Sequence, residues 1–103
     1  MYVEVKPSTQ KAKKLMAIFY DNKNVKLKTT HFGSFGYEDY TIHKDDSRKQ
    51  RYISRHKNNE NWNDYTSAGC LSRYILWNKT TLNESIKDYC RMFKLSLKIK
   101  NKV

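Results

Sequence analysis

Cysteine, long apolar runs and acidic side chains are all scarce in this chain. Its two cysteines, Cys70 and Cys90, are too few for a disulfide scaffold. Both fall inside helical patterns among apolar neighbours, which predicts buried free thiols in a reducing compartment; a Cys70–Cys90 bridge is the alternative if the two helices run antiparallel. No apolar run approaches the ~20 residues that a membrane span needs, and the opening MYVEVKPSTQ has no hydrophobic signal core. The expectation is a soluble, intracellular protein with no membrane partner. Asn78-Lys79-Thr80 and Asn83-Glu84-Ser85 fit the glycosylation pattern, and without a secretion signal they count as chance matches.

Apolar residues make up 38% of the 103, below the usual share for a globular domain. The aromatic fraction offsets this at 14%, with eight tyrosines, four phenylalanines and two tryptophans, because each ring buries a large area. The length suits one domain, and a domain of this size buries roughly 60–70% of its unfolded surface. Disorder is therefore not expected despite a mean hydropathy of −0.94.

Acid is outnumbered, with 10 Asp and Glu against 21 Lys and Arg and a formal charge of +11. Such a field attracts polyanions and speeds their association. Nucleic acid heads the candidate partners, followed by acidic protein surfaces and anionic lipid.

Residues 1–14 read as a basic leader with a weak strand at Tyr2–Val5, broken by Pro7. Leu15–Tyr20 is an apolar run of strand length, Asp21-Asn22-Lys23-Asn24 is a turn, and Val25–Phe32 alternates. This predicts a β-hairpin over 15–32, with Val25, Leu27, Thr29 and His31 on its packed face and Lys26, Lys28 and Thr30 on its wet face. Gly33, Ser34 and Gly36 open a loop to about Lys44. Their expected role is a sharp turn of positive φ, with Phe32, Phe35, Tyr37 and Tyr40 seating the loop on the core; exposed, the same rings would make a stacking platform for single strands.

Asp45, Asp46 and Ser47 suit a helix N-terminus and predict a basic helix over 45–57. Residues 57–61 read as a linker, with Trp62 and Trp77 anchoring helix junctions. Thr66 or Ser67 caps a second helix to about Trp77. Thr81 and Glu84 form a capping box for a third helix, in which Leu82, Ile86, Tyr89 and Phe93 share one face. The tail 95–103 alternates again at first, and reads as either a last strand beside the hairpin or a basic tail. The fold class is α+β in a single domain: an N-terminal hairpin, open to an added N- or C-terminal strand, packed on three short helices, the last two forming a two-helix core over 66–93.

The 45–57 helix is the main chemical feature. Arg48, Arg51, Tyr52 and Arg55 recur at helical spacing, and Lys49, His56 and Lys57 widen the basic face. Guanidinium groups fork onto phosphate oxygens, and each neutralised phosphate releases counterions. Lys26 and Lys28 of the hairpin add a secondary contact, as do Lys11, Lys13 and Lys14 of the leader. The plainer reading is a solvated helix face with arginines paired to Asp39, Glu60 or Asp64. The three histidines, His31, His43 and His56, match no metal-ligand spacing. A hydrolytic site with His43 as base and Asp39, Asp45 or Asp46 holding a divalent ion is the third class, although Asp45 and Asp46 already serve as helix starters. No catalytic residue, metal or cofactor is assigned.

The stretches HFGSFGYEDYTIHKDDSRKQRYISRH, ENWND and TSAGCLSRYILWNKTTLNESIKDYCRMF, spanning His31 to Phe93, resemble a small uncharacterised family of the nucleocytoplasmic large DNA viruses, of the mimivirus and chlorella-virus type. The shared pattern is a His-Phe-Gly turn, Asp-Tyr-Thr, a His and Asp pair before a basic helix, Glu-Asn-Trp, and Ser-Arg-x-Ile-Leu-Trp-Asn-Lys. The chain departs from it at Cys70, where a small residue is expected, and in a longer tail after Phe93. The resemblance implies a viral origin and no established activity. It implies a virion component, present also in host cytoplasm or viral factory: a genome-associated basic protein or a minor capsid protein. The expected function is therefore non-enzymatic binding of nucleic-acid backbone, DNA above all, with little sequence specificity. The alternative is a cement protein on acidic capsid subunits.

Overall fold

Asp21 and Asn24 make the chain reversal that organises the sheet. The Asp21 carboxylate accepts from the backbone N–H of Lys23 and Val25 at 2.8 and 2.9 Å, and Asn24 takes the left-handed conformation at φ +67°, which asparagine tolerates better than most residues. The computed structural model describes residues 1–98. Around this turn it pairs β2 (Lys13–Tyr20) with β3 (Lys26–Ser34) antiparallel. The ladder matches Phe19 to Lys28 and Tyr20 to Lys26, leaving Leu27 as a bulge.

Two sequence expectations change here. The residues facing the helices are Lys28, Thr30 and Phe32, not Val25, Leu27, Thr29 and His31. Phe32 decides the parity: it is fully buried and pairs with Leu15, in line with Ala17 and Phe19. A one-residue change of phase turns Thr29 and His31 to the other face, while Leu27 in the bulge and Val25 ahead of the strand are exposed. His31 lies on the opposite face of the sheet, where its Nδ1 shares a hydrogen bond of 2.7 Å with Ser8 Oγ. Secondly, residues 1–14 are not a leader. Tyr2–Pro7 forms an interior strand, β1, antiparallel to β2 and parallel to β4 (Ser96–Leu97). Val3 and Val5 complete the apolar row of Phe19 and Ala17, and that burial holds β1 in the sheet. The four-stranded order is β3-β2-β1-β4. The terminal strand thus lies beside β1, away from the β2–β3 hairpin, and residues 99–103 of the expected tail lie outside those described.

The helices start where their caps predict. Asp45 caps α2 (Asp46–His56) by accepting from Ser47 and Arg48 N–H. Ser67 caps α3 (Ala68–Leu71), and Thr81 caps α4 (Leu82–Phe93) through Glu84 N–H at 3.2 Å. One short helix was not expected: α1 (Tyr40–His43), capped by the Asp39 carboxylate within the stretch read as loop. The second helix also widens into a π turn over Ser72–Leu76. One layer of helices covers one face of the sheet. Cys70, Leu71, Ile75, Leu76, Ile86, Tyr89 and Cys90 pack on Val3, Ala17, Phe19 and Phe32, giving an α+β fold. Among the described residues both cysteines are free and buried, and no helix is long and apolar enough to cross a membrane.

Candidate functional site

Helix α2 presents two chemically distinct sides. On the inner side Tyr52 is buried between two rings, with its centroid 4.2 Å from His56 and 4.3 Å from Trp77. Burial is the main reason its phenol is pushed well above its ordinary value. Tyr52, which helical spacing groups with Arg48, Arg51 and Arg55, therefore does not share their exposed face: a large ring is worth more in the stack than in water. Lys49 is corrected in the same way. Its ammonium donates to the Asn78 carbonyl at 2.7 Å and sits 4.7 Å from the Tyr40 ring centre. Burial holds its pKa below the ordinary value, with Arg73 adding repulsion. Lys49 thereby joins a chain of contacts to α4, since Asn78 Nδ2 donates to Asp88, which also accepts from Arg91.

The outer side carries Gln50, Arg51, Ser54 and Arg55, which line a shallow groove. Arg51, Arg55 and Lys57 are exposed and have no carboxylate partner among the described residues. Arg48 lies at the margin, paired with Glu38 at 3.0 Å. Both members of that pair are largely solvent-exposed, at 42% and 55%, and such pairs are worth little and exchange readily. The structure thus brings Arg48, Arg51 and Arg55 together on adjacent turns of one helix, with Lys57 beyond them at its C-cap. It does not bring Lys26 and Lys28 to them. These stand toward the hairpin-turn end of β3, and Lys28 donates to Thr66 Oγ1 at 3.1 Å. The other end of β3, at Gly33 and Ser34, shares a cleft with Tyr52 and His56. Roughly 20 Å of strand separates Lys28 from Ser34.

That cleft, about 350 Å³, is rimmed by Lys13, Tyr37, His56, Glu60, Gly69 and Trp77. Its charges are largely internal pairs. His56 Nδ1 and Glu60 share a contact of 3.1 Å, and Lys14 Nζ lies 2.5 Å from Asp39, whose side chain is 4% exposed. Asp39 also accepts from the backbone and hydroxyl of Thr41, so its oxygens are occupied by lysine and cap. His43 Nδ1 accepts from Asp45 N–H, and Asp46 accepts from Tyr40 O–H. Each acid of the hydrolytic alternative thus has a structural partner, whereas His43 is held at Nδ1 and its buried Nε2 has no partner among the described residues. Among the described residues no group of three or more His, Cys, Asp or Glu side chains gathers as a metal site.

The glycine loop divides its four rings. Phe32 and Tyr40 are buried as expected, whereas Phe35 and Tyr37 are exposed at 69% and 73%. Gly33 and Gly36 adopt φ of +80° and +90°, the conformation expected of them. At Gly33 a Cβ would meet Leu76 Cδ1 at 2.7 Å. The sequence did not reveal the Lys14–Asp39 pair, which joins residues 25 positions apart, or the His56–Glu60 pair. The second had one visible signal, the i, i+4 spacing across the end of α2.

A model of a protein family of unknown function (DUF5754) matches residues 3–56. The chain belongs to this family. The DUF5754 match runs from β1 to the last residue of α2, so it includes the arginines and ends before the two helices that bury the sheet. No curated protein and no solved structure matches the chain.

Proposed function

We propose that this DUF5754 protein is a small, non-enzymatic nucleic-acid-binding protein that grips phosphate backbone, DNA above all, with little sequence specificity. The observation that supports it is the pair Arg51 and Arg55, exposed on successive turns of α2 without carboxylate partners among the described residues. Residues four apart on a helix are about 5–6 Å apart at Cβ, so both forks reach the same stretch of backbone. Lys57 extends the contact, and Arg48 joins it by releasing Glu38. Base reading is not part of the proposal, because α2 is anchored by its inner side and nothing in it matches a groove-reading motif. The viral setting implied by the resemblance belongs to the same proposal, with the protein associated with a packaged genome.

The test is duplex DNA affinity measured across a salt series. The logarithm of the affinity should fall linearly with the logarithm of salt concentration. Arg51→Ala with Arg55→Ala should flatten the slope by about 2, at roughly 0.9 for each phosphate no longer neutralised. A flat plot for the natural protein rules the reading out. An unchanged slope in the variant removes α2 from it.

The second reading, a minor capsid or cement protein on acidic subunit surfaces, draws on the hairpin tip, where exposed Val25 and Leu27 adjoin Lys26 and Lys28. Sedimentation of the protein with the shell of disrupted virions, apart from the genome, would favour it.

A further inference from the structure

Phe35 and Tyr37 are the most exposed large apolar side chains among the described residues. They flank Gly36, which has positive φ and open space around it. The loop that presents them is pinned to the sheet: Phe35 N–H donates to the Ala12 carbonyl at 2.9 Å, and Tyr37 N–H to the Ser34 carbonyl at 3.3 Å. Lys11 and Lys13 flank Ala12, and Lys13 pairs with Ser34 across the ladder and shares the cleft rim with Tyr37. Neither lysine has a carboxylate partner among the described residues. Of the acids in the loop, Asp39 is held by buried Lys14, and Glu38 makes an exposed pair with Arg48.

Two exposed rings on a turn tethered at Ala12, between two lysines without carboxylate partners among the described residues, form a surface with flat faces and positive charge. The chemistry that complements both is an unpaired nucleotide, whose base stacks on a ring while its phosphate meets a cation. A duplex does not offer this match, since its base faces are already stacked. We propose that the Phe35–Tyr37 loop with Lys11 and Lys13 is a binding site for single-stranded nucleic acid. The inference rests on the nucleic-acid reading but places the single strand on a different surface from the outer side of α2.

The experiment measures binding of a fluorescent oligothymidylate, and of a duplex of equal length, by anisotropy. The natural protein is compared with Phe35→Ala/Tyr37→Ala and with Phe35→Trp/Tyr37→Trp. The alanine variant should lose at least ~5-fold in single-strand affinity for each ring that stacks, with its salt slope and duplex affinity unchanged because no charge is removed. The tryptophan variant should match or exceed the natural protein, which separates stacking from loss of shape. Single-strand affinity unaffected by the alanine pair overturns the inference and reassigns the rings to a protein contact, while the α2 reading stands. Absence of salt-dependent binding to either oligonucleotide by the natural protein overturns both.

Discussion

The rings of Tyr52 and Trp77 lie within 4° of parallel, with centroids 4.3 Å apart. With His56 on the other face of Tyr52, they fasten α2 to the end of the π turn. This attachment is what leaves Arg51 and Arg55 facing outward, because a helix anchored along one side exposes the other. Replacing Tyr52 by alanine should cost about 3 kcal/mol, the usual loss for a buried ring, whereas Tyr52→Phe keeps the stack and should cost less than about 1 kcal/mol. Urea unfolding of the two variants checks this. A neutral Tyr52→Ala would show that the stack does not hold α2 in place.

The Lys14–Asp39 pair should behave as a buried ion pair. Asp39 is almost fully buried and its second oxygen caps α1 through Thr41. Lys14→Ala leaves that carboxylate without its cation, and should cost about 3 kcal/mol. The double change Lys14→Ala/Asp39→Ala should cost less than the sum of the single changes. Additive losses in a double-mutant cycle would mean the two side chains do not interact.

Acid should loosen the tie between α2 and α4. Hydrogen bonding from Asn78, and then from Arg91, holds the Asp88 carboxyl below its ordinary value of 3.8. A group whose folded pKa is depressed adds stability that is present above the unfolded value and is lost as pH falls through the folded one. The expected result is that Asp88→Asn narrows the stability difference between pH 5 and pH 3, measured by urea melts at each. An unchanged pH dependence would place the acid-sensitive group elsewhere.

How far the sequence announced this structure depends on how local each interaction is. Asp45, Ser67 and Thr81 were legible as caps because a cap joins a side chain to an N–H two or three residues on. The α4 stripe of Leu82, Ile86, Tyr89 and Phe93 was legible for the same reason. Val3 and Val5 alternate with Glu4 and Lys6, and nothing near them shows that Phe19 and Ala17 lie alongside. The inward turn of Lys49 depends on the Asn78 carbonyl, 29 positions away. At the candidate site the basic helix and its arginines were visible, but which cations stay free was settled by partners outside the helix, the Asn78 carbonyl for Lys49 and Glu38 for Arg48. Phe35 and Tyr37 were visible as rings on a glycine turn; their exposure follows from a turn that projects them beyond the core.

The thiols should be inert in the folded protein. Burial pushes Cys70 up to about 12, with Asp64 adding to it, and raises Cys90 as well. Since the thiolate is the nucleophile, an aromatic disulfide reagent at pH 8 should leave both sulfurs unmodified under native conditions and titrate two in denaturant. Rapid native reaction of either would contradict the packing of α3 and α4 on the sheet.

Gly33 and Gly36 allow conformation and space to be separated. Both have φ in the left-handed region, where any other residue carries strain of about 1–2 kcal/mol. A Cβ at Gly36 meets nothing within 4 Å, whereas at Gly33 it would lie 2.7 Å from Leu76 Cδ1 and 3.3 Å from Lys14 Cβ. Gly36→Ala should therefore cost only the backbone strain. Gly33→Ala should cost that plus about 1–3 kcal/mol of overpacking, because Leu76 is held in the core. Thermal unfolding of the two alanine variants gives the difference directly. Equal losses would mean that Leu76 yields freely and that β3 is not wedged against the π turn, which would also free the cleft beside it to change shape.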